Sequence, residues 1–350
     1  MKKLLLAAAV STLSLSAAQA APTLYGKVNV SVDQFDNKSF GTENVTEVNS
    51  NASRIGVKGE EKISDKLSAV YLAEWEISVD GDEDDSQTFK KRNIFGGLKW
   101  ADIGTLKVGN YDSYFKSAAA SKNDIFNDHA FDITSMMYGE ERLKNVIGFE
   151  TDPKLLAGIG FNLMLQQGEE NKKDGDNGIG DAISSSITYE NKDLGLAVAL
   201  GADFDVKGKY SASTFGSTKQ ATDAFRLAGS YDLGKVGVAG LGLNALYQTA
   251  EATSDEGKAA NLEEDAWVIN AAYKIAETPV TVKAQYQSAD TSEKGQKDKT
   301  VDQYGLGVDY TLNKQAKLYG LVAQQKRDWT TTKTPEKKQT VFGVGLELNF

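Results

Sequence analysis

A single histidine, His129, and no cysteine at all are what 350 residues offer to acid–base or thiol chemistry. Serine–histidine relays, thiol nucleophiles and thiolate metal sites each need one or the other. The chain reads poorly as an enzyme, and no catalytic residue, metal site or cofactor is expected. His129, next to Asp128, is either a bystander or a group whose titration near neutral pH acts on its surroundings. GLGLNA, residues 240–245, has the spacing of a dinucleotide turn, yet more alternation follows where a helix is required. KDGDNGIGD, residues 173–181, has its first glycine one place early for a calcium loop, and no glutamate closes it. With DGDEDD, residues 80–85, it reads as solvated loop, weak Ca2+ or Mg2+ binding being the sharper alternative.

The elements that must position any functional residue come next. MKKLLLAAAVSTLSLSAAQA joins Lys2 and Lys3 to an apolar stretch, Leu4 to Leu15, and to Ala18-Gln19-Ala20, the pattern of a secretory leader, with Ala21 the first mature residue. Removing residues 1–20 takes away two lysines and no acid, so the net charge goes from -10 to -12, a poor match for nucleic acid. Beyond the leader the longest apolar run is VGVAGLGL, Val236 to Leu243, less than half of the ~20 residues a membrane helix needs. A mean hydropathy of -0.39 argues against helical spans but not against strands that face lipid with every second side chain.

That alternation is everywhere. TLYGKVNVSVD sets Leu24, Val28, Val30 and Val32 against Lys27, Asn29, Ser31 and Asp33. KLSAVYLAEWEISV puts Tyr71, Trp75, Ile77 and Val79 on one face with Glu74 and Glu76 on the other. The terminal VFGVGLELNF repeats the pattern from Phe342 to Phe350. Runs of about nine to thirteen residues exceed the usual soluble strand and suit a tilted membrane strand. The connections sort by length. Short turns fall near 64–65, 101–104, 151–153, 191–193, 233–235, 277–279 and 313–314; long hydrophilic loops occupy roughly 36–50, 80–88, 112–141, 169–181, 207–221, 251–264, 291–299 and 329–338. Eight long loops alternating with seven short turns give sixteen strands. The fold expected is all-β: a transmembrane 16-stranded antiparallel up-and-down β-barrel formed by residues 21–350. The four prolines, Pro22, Pro153, Pro279 and Pro335, all fall at strand ends, turns or loops. Closure onto the first strand removes both open edges, which lipid cannot tolerate. Tyr71, Trp75, Trp100, Tyr189, Tyr231, Trp267, Tyr273 and Tyr310 are available for aromatic girdles.

SRIGVKGEE (Ser53 to Glu61), AEWEI (Ala73 to Ile77), FKKRNIFGGLKWADIGTLKVGNYDSYF (Phe89 to Phe115) and the final strand are similar to stretches of the Gram-negative general porins, trimeric sixteen-stranded outer-membrane channels. The resemblance implies a water-filled channel for passive diffusion of small hydrophilic solutes and ions, as a homotrimer in the outer membrane among lipid and lipopolysaccharide. It makes Phe350 the signal read by the barrel assembly machinery. Any Ca2+ or Mg2+ at the acidic loops would then bridge lipopolysaccharide phosphates. It also implies that the third loop, about 112–141, folds inward and that its acids, here Asp124, Asp128 and Asp132, face a ladder of arginines, here Arg54, Arg92 and Arg142. Opposed rows of charge in a narrow wet passage orient polar solutes and disfavour apolar ones.

Strand parity supports Arg54 and Lys58 inward, opposite Ile55 and Val57, and adds Glu74 and Glu76 as lumen residues. For Arg92 parity is ambiguous, because Ile94 and Leu98 share its face. The Pro-Glu-Phe-Gly-Gly stretch common in the family's third loop is replaced by NDIFNDHAFDITSMMYG. Two other functions compete: a barrel hydrolase, which lacks the residues, and a non-conducting barrel acting in adhesion or structure through its long acidic loops. The excess of acids leans the expected selectivity weakly toward cations.

Overall fold

Side chains that alternate along a strand put the apolar ones on one face, and the sheet formed here turns that face outward. The computed structural model describes residues 21–37, 43–81, 89–126, 128–129, 132–133, 136–169, 178–328 and 337–350. The expected leader, most of both acidic runs and Pro335 lie outside these residues. The strand segments are β1 (Thr23–Asp36), β2 (Val45–Ser50), β3 (Arg54–Ser64), β4 (Leu67–Ile77), β5 (Phe89–Trp100), β6 (Gly104–Asp112), β7 (Arg142–Thr151), β8 (Ile159–Gln167), β9 (Ile179–Asn191), β10 (Leu196–Gly208), β11 (Gln220–Asp232), β12 (Leu241–Ala252), β13 (Glu263–Lys274), β14 (Val280–Ser292), β15 (Lys299–Thr311), β16 (Ala316–Asp328) and β17 (Lys337–Asn349). β2 and β3 both pair with β1 and are two halves of one wall strand, broken at residues 51–53 where Ala52 takes a φ of 46°. The wall therefore has sixteen antiparallel strands and closes where β1 pairs with β17.

Closure is completed by reciprocal backbone bonds, Gly26 N–H to Phe350 O at 2.9 Å and Phe350 N–H to Gly26 O at 3.1 Å. The Phe350 ring lies over Gly26, in the space a Cβ would take, so only glycine fits there. The outer face carries Leu200, Phe225, Leu227, Leu306 and Val344, each more than half exposed. The inner face buries Asn29, Ser31, Asp33, Gln248, Gln287 and Gln303. Apolar outside and polar inside is the arrangement a lipid-facing wall needs, since each large apolar side chain moved into hydrocarbon contributes on the order of 1.5–3 kcal/mol.

Two boundaries differ from the sequence expectation. Val45–Ser50 belongs to the wall rather than to the first loop, because its own alternation lets it pair with the upper part of β1. The turn after β11 runs on to Gly240 through a 3-10 turn, Leu233–Val236, so the apolar run 236–243 is divided between turn and strand.

The third loop folds into the barrel. It begins with helix α1 (Tyr114–Asn123), whose Phe115 N–H is held by Ser184 of β9 at 3.0 Å. It then follows the inner wall: Asn270 of β13 donates to Asn123 O at 2.8 Å, and Lys283 of β14 to Ile125 O at 2.9 Å. Its tip meets β1, and the return leg buries Ile133, Met136 and Met137 against Ala228, Leu246, Ala266 and Val268. A second segment, 209–219, also leans inward, which the sequence did not signal: Tyr210 packs 5.9 Å from Tyr138 of the third loop.

Candidate functional site

Charge collects on the inner wall between β1 and β7. Lys27 on β1 stands opposite Arg54 on β3, and Arg54 opposite Glu76 on β4. Arg92 faces the lumen despite its ambiguous parity, because the β4/β5 ladder slips between Ala73 and Trp75: Ala73 pairs Ile94 but Trp75 pairs Lys91. The extra residue reverses the alternation locally and re-aims the side chain. Arg92 donates to Glu74 at 2.8 Å and to Glu76 at 2.9 Å. Tyr25 OH donates to the other oxygen of Glu74 at 2.9 Å, and Arg54 lies 3.9 Å from it. Arg142 opens β7 at a second slip, donating to Asn93 at 2.8 Å and pairing with Asp112 at 3.0 Å, with Lys116 3.5 Å from that carboxylate. This knot ties the two ends of the third loop, where Ser113 N–H also bonds Glu141 O at 3.1 Å.

The three expected acids separate. Asp128 reaches the basic wall, 2.5 Å from Lys27 and 3.5 Å from Arg54. Asp124 sits between the two backbone anchors on β13 and β14, and Asp132 is buried with its carbonyl accepting from Gln287 of β14 at 3.2 Å. Neither lies beside the arginines, because the loop is threaded along the far wall before and after its tip. The arginines are met chiefly by carboxylates of their own wall, which the expectation of two opposed rows did not contain. Five cations (Lys27, Arg54, Arg92, Lys116, Arg142) stand among four carboxylates (Glu74, Glu76, Asp112, Asp128), and all but Lys27 keep 10–32 % of their side chains exposed. Lys58 is more exposed, its ammonium 5.0 Å from the Tyr25 ring.

Several lumen residues were missed in the sequence. Lys27 and Asp33 were on the polar face of β1 but carried no sign of partners. Asp33 is fully buried and bonds His129 Nε2 at 3.0 Å, Ser31 at 2.6 Å and Asn49 at 2.8 Å. His129 is thereby an anchor for the loop tip rather than a group in the passage. Arg226 and Glu264, both buried on the inner wall, hold the return leg; Glu140 pairs with Arg226 at 2.8 Å, and Glu141 with Lys219. Burial pushes the Tyr138 phenol well above its ordinary range, with Asp203 adding to the effect. Among the described residues no group of three or more histidine or carboxylate side chains is arranged to hold a metal ion.

The family profile of the Gram-negative porins matches residues 5–330. The chain belongs to the Gram-negative porin family. Major outer membrane protein P.IB of Neisseria gonorrhoeae is 25% identical over 339 residues, 90% of each chain. An anion-selective porin from Comamonas acidovorans superposes with a TM-score of 0.71 at 21% identity, covering 94% of this chain and 99% of that one. The outer membrane protein OmpT of Vibrio cholerae in its trimer form does so with a TM-score of 0.68 at 17% identity, over 94% and 99%. The porin lies in the outer membrane as an integral β-barrel and forms a channel for passive diffusion of small hydrophilic solutes and ions.

Proposed function

We propose that the narrow point of this porin is the space bounded by the Asp128 tip of the third loop and the charged wall of Arg54, Arg92, Arg142, Glu74 and Glu76. The contact of Asp128 with Arg54 carries the reading, since it brings a loop acid onto a basic wall whose other groups remain partly wet. Fixed charges of both signs at such close quarters hold ordered water and favour polar solutes over apolar ones. Passage then needs no chemical step and no catalytic group.

The cation lean suggested by the whole chain does not carry over to this spot, where three cations face three carboxylates and, with Lys27, Lys116 and Asp112 counted, cations exceed carboxylates by one, so weak selectivity is expected. Arg54→Glu and Arg92→Glu should each move the reversal potential under a salt gradient toward cation preference. Unchanged potentials in folded variants would remove these arginines from the eyelet. A non-conducting adhesion barrel forbids discrete steps in planar bilayers, which the channel demands.

A homotrimer is the assembly proposed, supported by the shared fold with the Vibrio protein in its trimer form; conductance steps in threes and a heat-dissociable oligomer on a denaturing gel test it. Phe350, about half exposed at the closing seam, is proposed as the assembly-machinery signal. Its substitution by Ser should lower the yield of membrane-inserted protein. Contact with lipopolysaccharide, bridged by Ca2+ or Mg2+ at acidic loops, should weaken under chelation. Residues 1–20 are proposed as a leader absent from the mature protein, which N-terminal sequencing reads directly.

A further inference from the structure

Tyr138 lies four residues before β7 and is fully buried. Four consecutive wall strands each reach it. Asp203 and Val206 O of β10 accept from its hydroxyl at 3.3 and 3.0 Å. Arg226 of β11 and Gln248 of β12 donate to its carbonyl at 3.1 and 2.8 Å. Glu264 of β13 accepts its N–H at 2.7 Å. The ring fills the space where a Cβ on Gly208 would stand. All three polar groups of one loop residue are thus met from the wall.

The same cradle gathers neighbouring segments. Arg226 also bonds Glu140, and its guanidinium lies 4.3 Å from the centre of the Phe115 ring, so outgoing and returning legs of the loop meet on one side chain. Glu264 accepts in addition from Ser211 N–H at 2.7 Å, which brings in the second inward segment. Burying a guanidinium and a carboxylate that has no cation within bonding distance among the described residues is unfavourable unless every hydrogen bond is made. Apolar packing would hold a loop at less expense but without direction. Directed bonds fix the register of a segment that has little regular structure of its own.

We infer that Tyr138 is the positioning residue of the inturned loop: its cradle of Asp203, Arg226, Gln248 and Glu264 sets the course of the return leg and so the steadiness of the passage. This rests on the chain being a porin and not on which charges line the eyelet.

The absence of cysteine permits a clean test in the full-length protein. Met137→Cys places a thiol beside Tyr138 at a buried position. Its labelling by a water-soluble maleimide is followed alongside single-channel current, with the heat-dependent gel shift reporting an intact barrel. Adding Tyr138→Ala should leave the gel shift in place, raise the labelling rate at least about tenfold and produce flicker between substates, because a buried side chain reacts only through local opening. Glu264→Gln and Tyr138→Phe, which remove one polar function at nearly constant volume, should do the same to a smaller extent. They decide the matter if Tyr138→Ala does not fold. Labelling within about twofold of the parent and a quiet parental current in the folded variants overturn the inference. Arg54→Glu in the same background should shift the reversal potential with parental labelling, so either reading can fail alone.

Discussion

The wall from β1 to β7 and the wall from β10 to β14 carry the same kinds of side chain on the same lumen-facing parity, yet they do opposite things. On the first, Arg54, Arg92 and Arg142 keep 13–20 % of their side chains exposed and share their charge with neighbouring carboxylates. On the second, the Arg226 side chain has no exposure and is spent on loop atoms. What differs is the cover: the inturned loop leaves one wall wet and dries the other. Charge in the wet wall acts on whatever passes, whereas charge in the dry wall acts on the loop.

The contrast can be broken most sharply at Arg226. Arg226→Met strands Glu140, and breaking a buried pair costs about 3–5 kcal/mol. Hydrogen exchange of residues 136–141 should rise strongly, and a similar rise after Arg54→Met would erase the distinction. His129→Ala removes one bond from Asp33 but leaves those from Ser31 and Asn49, a loss of about 1–3 kcal/mol. The expected result is a noisier tip with no new pH dependence of conductance between pH 5 and 8. Arg92→Met, in the wet wall, should cost less stability than Arg226→Met, because Glu74 keeps Tyr25 and Arg54 as partners, while changing ion preference measurably.

A milder probe lies at the outer end. Burial pushes the Glu293 carboxyl up, but the hydroxyl and N–H of Thr214 and the Lys299 ammonium outweigh it and leave it below its ordinary value. A depressed folded pKa gives a contribution present above the unfolded value of about 4.3 and lost as pH falls through the folded one. The protection of segment 209–219 against hydrogen exchange, taken relative to the intrinsic rate at each pH, should hence be lower in acid than at neutral pH, and Glu293→Gln should flatten that dependence. Lys58→Ala, exposed and off the network, should lie within about 0.5 kcal/mol of the parent.

Wall, strand number and closure were legible because lipid on one side and water on the other force a period of two, as in Lys27 to Asp33. The site was only half legible. Arg54 could be placed by parity and Arg92 could not, since a ladder slip leaves no mark in the alternation around Ile94 and Leu98. Asp124, Asp128 and Asp132 look alike in sequence, and only the threading of the loop separates the one that meets arginine from the two that do not. Arg226 and Glu264 sit at ordinary inward positions; their burial depends on residues far along the chain.

The slip that turns Arg92 inward also makes this stretch of β5 sensitive to length in a way it is not to composition. Taking out Lys91, on the loop side of Arg92, and pairing without the slip would set Asn93 opposite Glu74 and Arg92 opposite Trp75, presenting the guanidinium to hydrocarbon tails, so this one-codon deletion should be far more damaging than any replacement of Lys91.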